Sequence, residues 1–553
     1  MSRRRKFWGW GYEDEDLTRE EKENLAALLA ARFGGGPLTV DEPPALEEIK
    51  LRPPRVTPPA SLRNLLTDDA YERAGHTYGK SYRDVVRAYR RDFSPAPDWV
   101  ALPKDEEDVA ALLAWAGEAR LVAIPYGGGS SVVGGVEASP GEERPVISID
   151  LRHLDQVLEV DRTSRAARIQ GGALGPALEA QLKPHDLTLR HFPQSFELST
   201  LGGWIATRSG GHFATLYTHI DDFVESLRIV TPRGLVETRR LPGDGSGPRA
   251  DRLFLGSEGT LGIITEAWVR LQDRPVHRAN LTAEFERFED AVAACRAVAQ
   301  AGLYPSNCRL LDPGEALYNG AGDGTRTLLL IAFESADHPL DAWIARAAEC
   351  CRDHRGQVPD EVGARGRGEG RAEASPSTAD QGGRPPSNSM GAREGAAGAW
   401  RNAFIRMPYY RDAIAGMGVI NETFETACTW DRFEAFNQRV TDAVRSAMDT
   451  VGAGRGWVSL RFTHVYPDGP APYYSVTGPA TRGEEIEQWQ VIKDAASAAI
   501  IELGGTITHH HAVGRDHAPW YRREQAPLYL ESLRAMKSTL DPQGILNPGI
   551  LFA

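Results

Sequence analysis

Three adjacent histidines, His509-His510-His511, stand near the end of the chain. Imidazoles titrate near neutral pH, so the trio could act as acid or base, hydrogen-bond an alcohol, or ligate a metal. A metal site needs three or four convergent ligands, and no further His/Cys cluster with metal spacing accompanies the trio, so no metal is expected. The preceding Gly504-Gly505-Thr506-Ile507-Thr508 reads as a glycine turn running into a strand. Strand alternation would put His509 and His511 on one face and His510 on the other. Taken alone, the three are equally readable as solvated surface residues.

Two further groups carry chemistry. Tyr473-Tyr474 lies in Pro472-Tyr473-Tyr474-Ser475-Val476, and paired aromatics on a strand belong more often to a core than to a site. A phenol serves as a base near neutral pH only beside a cation or histidine. Arg309, in Asn307-Cys308-Arg309-Leu310-Leu311, and Arg411, in Tyr409-Tyr410-Arg411-Asp412, could clamp a phosphate or a carboxylate. On residue type alone, each is better explained as a surface or ion-paired residue.

The glycine loops are more specific. Pro125-Tyr126-Gly127-Gly128-Gly129-Ser130-Ser131-Val132 directly follows an apolar strand, and its successive glycines allow close backbone approach to an anion. It has neither the Lys of a P-loop nor the spacing of a Rossmann turn, and by itself it could be a flexible hairpin. Three later stretches extend the pattern: Gln194-Ser195-Phe196-Glu197-Leu198-Ser199-Thr200, Thr207-Arg208-Ser209-Gly210, and Glu258-Gly259-Thr260-Leu261-Gly262-Ile263-Ile264. Together these loops offer backbone donors and small hydroxyls without bulk, as a large planar cofactor with a diphosphate requires.

The elements that must position these groups can be read from hydrophobic periodicity. Short strands are expected at 121–125, 146–149, 166–169, 224–230 and 262–271, with helices at 109–119 and 176–182, which makes this region α/β. A second βαβ-like unit follows: strands at 281–285 and 327–333, and helices at 288–300 and 341–354. Helices are also expected at 17–33, 431–447, 484–503 and 528–540. Residues 363–399 are rich in Gly, Ala, Ser, Pro and Arg, with almost no large apolar side chains, and read as a disordered insertion. The expected organisation is an N-terminal helical region (1–97), a glycine-rich cofactor-binding domain (98–273), a cap (274–504) and a closing C-terminal segment (505–553).

Composition narrows the class. With 553 residues, several domains are the prior, and a net charge of −13 argues against a nucleic-acid partner. Arg3-Arg4-Arg5-Lys6 is followed by Phe7-Trp8-Gly9-Trp10-Gly11 rather than an apolar run, so it does not read as a secretory signal. The five cysteines show neither ligand nor disulfide spacing, and the C-terminus carries no Ser-Lys-Leu address; a cytoplasmic home is expected.

The order of the glycine loops, closed by Asp541-Pro542-Gln543-Gly544-Ile545-Leu546-Asn547-Pro548-Gly549, resembles the FAD-binding domain of the vanillyl-alcohol oxidase (PCMH) type. Within that superfamily the chain is similar to the alkyldihydroxyacetonephosphate synthase family. The supporting motifs are Phe7-Trp8-Gly9-Trp10-Gly11-Tyr12, Ser195 to Trp204, Phe424-Glu425-Thr426-Ala427, Trp430-Asp431-Arg432 and the triple histidine. The resemblance implies a two-lobed α/β FAD domain with an antiparallel α+β cap, and FAD held non-covalently by the four loops. It also implies a redox-neutral reaction: acyl-dihydroxyacetone phosphate exchanges its acyl group for a long-chain fatty alcohol. Tyr473 falls at the proton-transfer tyrosine, His509, His510 and His511 beside the flavin, and Arg411 and Arg309 near the head group. His191 matches a position near the flavin. Gln194 stands where the family pattern has an acidic residue. A peripheral membrane contact and a homodimer are compatible with this reading.

The rival is a FAD-dependent 2-hydroxy-acid dehydrogenase or oxidase of the lactate or glycolate type, which shares the loops and the ending and would use the arginines on a carboxylate. A flavin-binding protein without catalysis is the third class; candidates at every catalytic position argue against it.

Overall fold

The computed structural model describes residues 3–217, 219–359, 364–365 and 395–552. Of the expected disordered insertion, residues 363 and 366–394 lie outside the described residues. Its ends form the two-residue strand Ala364–Arg365 and the start of the helix Gly395–Gly416.

Two sheets build the flavin lobe. The first has four strands in the order Leu66–Thr67, Trp99–Ala101, Val146–Asp150, Val122–Tyr126, the last three mutually parallel. Parallel strands are covered on both faces, which is why all five residues of Val146–Asp150 are buried and why these strands read as unbroken apolar runs. The helix Glu106–Glu118 lays Val109, Leu112, Leu113 and Ala116 against them, and its N-terminus is capped by the Asp105 carboxylate. The second sheet is antiparallel and five-stranded, ordered Val157–Asp161, Ala166–Gln170, Ile263–Arg270, Val224–Thr231, Gly234–Glu237. It has its own core around Trp204, Phe223 and Leu178.

The cap is a seven-stranded antiparallel sheet, ordered 364–365, 277–285, 327–335, 307–311, 457–465, 470–479, 419–425. Four helices, Phe288–Gln300, Asp341–Asp353, Phe433–Thr450 and Glu485–Glu502, share its largest apolar core. Expected helix and strand positions agree with these elements to within a few residues, and the helix Arg19–Phe33 carries a Thr18/Glu21 capping box.

The C-terminal motif is stapled onto the flavin lobe. Asp541 accepts the N–H groups of Ile545 and Leu546, and Leu546 bridges to Ala123 in the edge strand Val122–Tyr126. Asn547 then donates to the carbonyls of Gly135 and Glu258, joining two glycine loops to the ending.

One expected element is absent. Residues 506–511 are loop rather than strand, because the backbone wraps around a carboxylate instead of pairing with a sheet. Glu425 accepts the N–H groups of His509, His510 and His511 at 2.6, 2.9 and 2.9 Å, and the Thr508 hydroxyl at 2.7 Å. The alternation expected of the three histidines therefore does not hold.

Candidate active site

The glycine loops converge on one cavity between the two sheets and the cap. Its flavin-lobe wall is formed by Pro125 to Val132, Gln194, Ser195, Ser199, Thr200, Thr207, Ser209, Gly210, Glu258, Gly259 and Gly262 to Ile264. The loops are packed too tightly for side chains: a Cβ on Gly128 would stand 1.6 Å from the Leu198 carbonyl, and one on Gly127 2.3 Å from the Thr200 hydroxyl. Such a cradle of backbone and small hydroxyls fits a diphosphate and a flat ring system.

Six residues of the expected cofactor loops do not line the cavity. Phe196 packs on Phe192, and Leu198 joins Trp10 and Tyr409. Thr260 and Leu261 are fully buried in the loop's own support, Arg208 pairs with Asp221 at 2.7 Å, and Glu197 faces solvent. Each is the partner that holds a lining neighbour in place or the outward residue of its turn. Glu258 has a second task beyond lining: its carboxylate accepts the N–H groups of Val513 and Gly514, and burial pushes its pKa up to about 7. His191 lies behind the wall, its Nε2 2.7 Å from the hydroxyl of Ser209, and burial holds it neutral.

The cap wall carries the expected chemical groups. Tyr473, His510, His511, Arg309 and Arg411 all line the cavity. In the Tyr473-Tyr474 pair, strand alternation separates the two fates: Tyr474 is fully buried, stacks on Phe424 and hydrogen-bonds Asn437, while Tyr473 faces the cavity. Arg309 is buried, and desolvation followed by the neighbouring Arg461 depresses its pKa. Arg411 is oriented by donating to the Lys80 carbonyl, and its neighbour Asp412 accepts the Trp10 N–H at 2.5 Å, which ties the N-terminal aromatic segment to this corner.

His509 is turned away from the cavity wall into a relay. Its Nε2 lies 2.7 Å from the Tyr466 hydroxyl, which lies 2.6 Å from His219 Nε2, while its Nδ1 lies 3.1 Å from His510 Nδ1. Burial holds His509 and His511 neutral, whereas Glu425 beneath them stays well below the usual carboxylate range: burial works against its ionisation, and the donors of the histidine loop that converge on the carboxylate overcome it.

Several functional residues escaped the sequence reading. Glu425 sat inside a quoted motif without a role; an acid amid strand aromatics was the available signal. Arg461 and His464, both on the strand Trp457–Val465, line the cavity but carry no local motif. Arg461 pairs with the fully buried Glu315 at 2.9 Å and lies over the Tyr473 ring. His464, with His509 and His510, also places three donor atoms within 4.8 Å of one another, a convergence that the spacing did not reveal.

Fold and cavity define a two-domain flavoenzyme of the FAD-linked oxidase type. Residues 97–239 match the FAD binding domain model, and residues 274–551 match the C-terminal domain of FAD linked oxidases. The chain is 32% identical to the alkyldihydroxyacetonephosphate synthase of Dictyostelium discoideum, over 93% of this chain and 84% of that protein. It is 30% identical to the enzyme of the same name from Trypanosoma brucei brucei, over 91% and 82% of the two chains. A solved alkyldihydroxyacetonephosphate synthase superposes with a TM-score of 0.77 at 27% identity, covering 98% of both chains. Similarity to the glycolate oxidase subunit GlcD of Bacillus subtilis is lower, at 25% over 88% of this chain and 98% of that protein. The chain belongs to the alkyldihydroxyacetonephosphate synthase family, and its cofactor is FAD. Among the described residues, no helix is long and apolar enough to cross a membrane.

Proposed function

We propose that this protein exchanges the fatty acyl group of acyl-dihydroxyacetone phosphate for a long-chain alcohol, releasing a fatty acid and leaving an ether. The reading rests on one observation: a tyrosine, two of the three histidines and two arginines from separate elements face the same glycine-walled cavity.

Arg411 and Arg309 hold the phosphate of the head group through charge-assisted hydrogen bonds. This fixes the ketone and its ester-bearing carbon toward Tyr473. That carbon is acidified by the adjacent ketone, and the Tyr473 oxygen takes and later returns its proton. Arg461, over the ring, stabilises the phenolate that this role requires. When bound, FAD supplies a ring that can accept and return an electron pair, so the exchange ends without net oxidation. His510 and His511 accept the proton of the incoming alcohol hydroxyl. His509 and Glu425 hold their orientation through the Nδ1 contact and the backbone N–H groups. The substrates dissolve in membranes, so turnover takes place at a bilayer surface.

The test is an anaerobic incubation of the yellow holoenzyme with palmitoyl-dihydroxyacetone phosphate and hexadecanol. Alkyl product and free palmitate, with no net flavin reduction afterwards, support the reading. Lasting bleaching by a 2-hydroxy acid such as glycolate, with no ether formed, would reassign Arg309 and Arg411 as carboxylate clamps.

A further inference from the structure

We propose that His464, His509 and His510 form a binding site for a divalent transition-metal ion, of the zinc or cobalt type, beside the reacting end of the cavity. The three residues come from two elements, the strand Trp457–Val465 and the loop wrapped around Glu425. Each offers a ring nitrogen, and the three nitrogens lie within 4.8 Å of one another. The closest pair, Nδ1 of His509 and Nδ1 of His510, is 3.1 Å apart. A tetrahedral ion with bonds of about 2.0–2.1 Å to nitrogen needs donors roughly 3.4 Å apart, so one ring must turn to close the triangle.

His464 carries the argument furthest. Its residue is 2% exposed. Nε2 donates to the Gly211 carbonyl at 3.0 Å, which leaves the lone pair on Nδ1. That Nδ1 is buried and has no hydrogen-bond partner. A buried nitrogen without a partner is costly, and a metal ion would satisfy it. Glu425 supplies the compensating negative charge, its carboxylate 3.4 Å from His510 Nδ1 and 3.9 Å from His509 Nδ1. His464 and His510 both line the cavity, so an ion can enter and keep a position open toward it. Three imidazoles select zinc, cobalt or copper over magnesium and calcium, which demand oxygen ligands.

Where His510 accepts the alcohol proton, a consequence that rests on the proposed function, a bound ion on Nδ1 leaves the ring proton on Nε2, which then accepts no other, and turnover falls. The metal-binding readout is independent of it. Chelator-stripped holoenzyme is titrated with Co²⁺ and followed at wavelengths beyond the flavin bands. The expected result is one Co²⁺ per chain with the intense spectrum of tetrahedral coordination, displaced by Zn²⁺ and unaffected by Mg²⁺. His464→Gln should weaken binding at least tenfold while retaining FAD; if that variant fails to fold, His510→Asn is titrated in its place. A weak octahedral spectrum, or binding unchanged in the folded variant, would overturn the site. Tight tetrahedral binding with ether formation undiminished would uphold the site and count against His510 as the proton acceptor.

Discussion

The guanidinium carbon of Arg461 lies 3.8 Å from the centre of the Tyr473 ring, and the same guanidinium is held by the carboxylate of Glu315 at 2.9 Å. Burial raises the phenol's pKa, and Arg461 is the largest influence opposing it. The arginine therefore acts through the tyrosine, as a positioning and electrostatic residue. Tyr473→Phe should lower turnover by about 10²–10⁴, the usual worth of a general acid or base, while FAD stays bound. Arg461→Gln should keep some turnover but move the rising limb of the pH–rate profile to higher pH, since the phenolate loses its cation. A pH profile that keeps its limb in Arg461→Gln would remove that role.

Glu425 is predicted to be the residue whose loss most disturbs the histidines without touching substrate. Three backbone N–H groups and a hydroxyl converge on its carboxylate. Glu425→Gln turns one of the two accepting oxygens into a donor amid donors and removes the charge. Hydrogen bonds to a charged acceptor are each worth about 1.5–3 kcal/mol, so the variant should melt well below the parent and lose turnover disproportionately. FAD absorbance should persist, because the glycine loops belong to the other domain. Loss of FAD in parallel with turnover would mean that the defect is global unfolding.

Much of the flavin lobe was legible, because close backbone approach demands glycine and leaves a mark at fixed positions. Residues 125–131 all line the cavity. The cap chemistry was legible only through resemblance. Glu425, Arg461 and His464 are brought to the histidine loop by the antiparallel order of three strands, and that register has no local sequence signal. The strand expected at 506–511 failed for a related reason: Thr506 to His511 has strand-forming types, but a buried carboxylate from elsewhere captures its N–H groups. Phe196, Leu198, Thr260 and Leu261 belonged to the right loops, yet apolar or fully buried side chains there serve the packing behind the wall.

Gly128→Ala should abolish FAD binding. The added Cβ would meet the Leu198 carbonyl carbon at 2.6 Å and Ser199 Cα at 2.8 Å, both backbone atoms that cannot rotate aside. The two loops must separate, and the cradle widens where a diphosphate would sit. Gly36→Ala, where a Cβ meets nothing within 4 Å, serves as the control and should bind FAD as the parent does. Equal flavin content in the two purified variants would show that the close loop packing is not needed for the cofactor.

Acid should unfold this protein through buried neutral histidines. His517 is buried, donates its Nδ1–H to the Ala512 carbonyl at 2.9 Å, and has its pKa lowered from 6.5 to about 3, mainly by desolvation and next by Lys493. His191 is lowered to about 3 in the same way, with burial first and His219 second. In the unfolded chain both take a proton below pH 6.5, whereas the folded state refuses it until about pH 3. Their contribution to stability is therefore complete above pH 6.5 and shrinks as the pH falls from 6.5 toward 3. Three buried carboxylates, Glu137, Asp312 and Glu258, have pKa values raised to about 7 and act in the opposite sense, favouring the folded state as pH falls toward their unfolded values. His517→Gln, which cannot titrate, should show a smaller drop in melting temperature than the parent between pH 6.5 and 5, even if it starts lower. Parallel curves for parent and variant across that window would exclude His517 from the acid response.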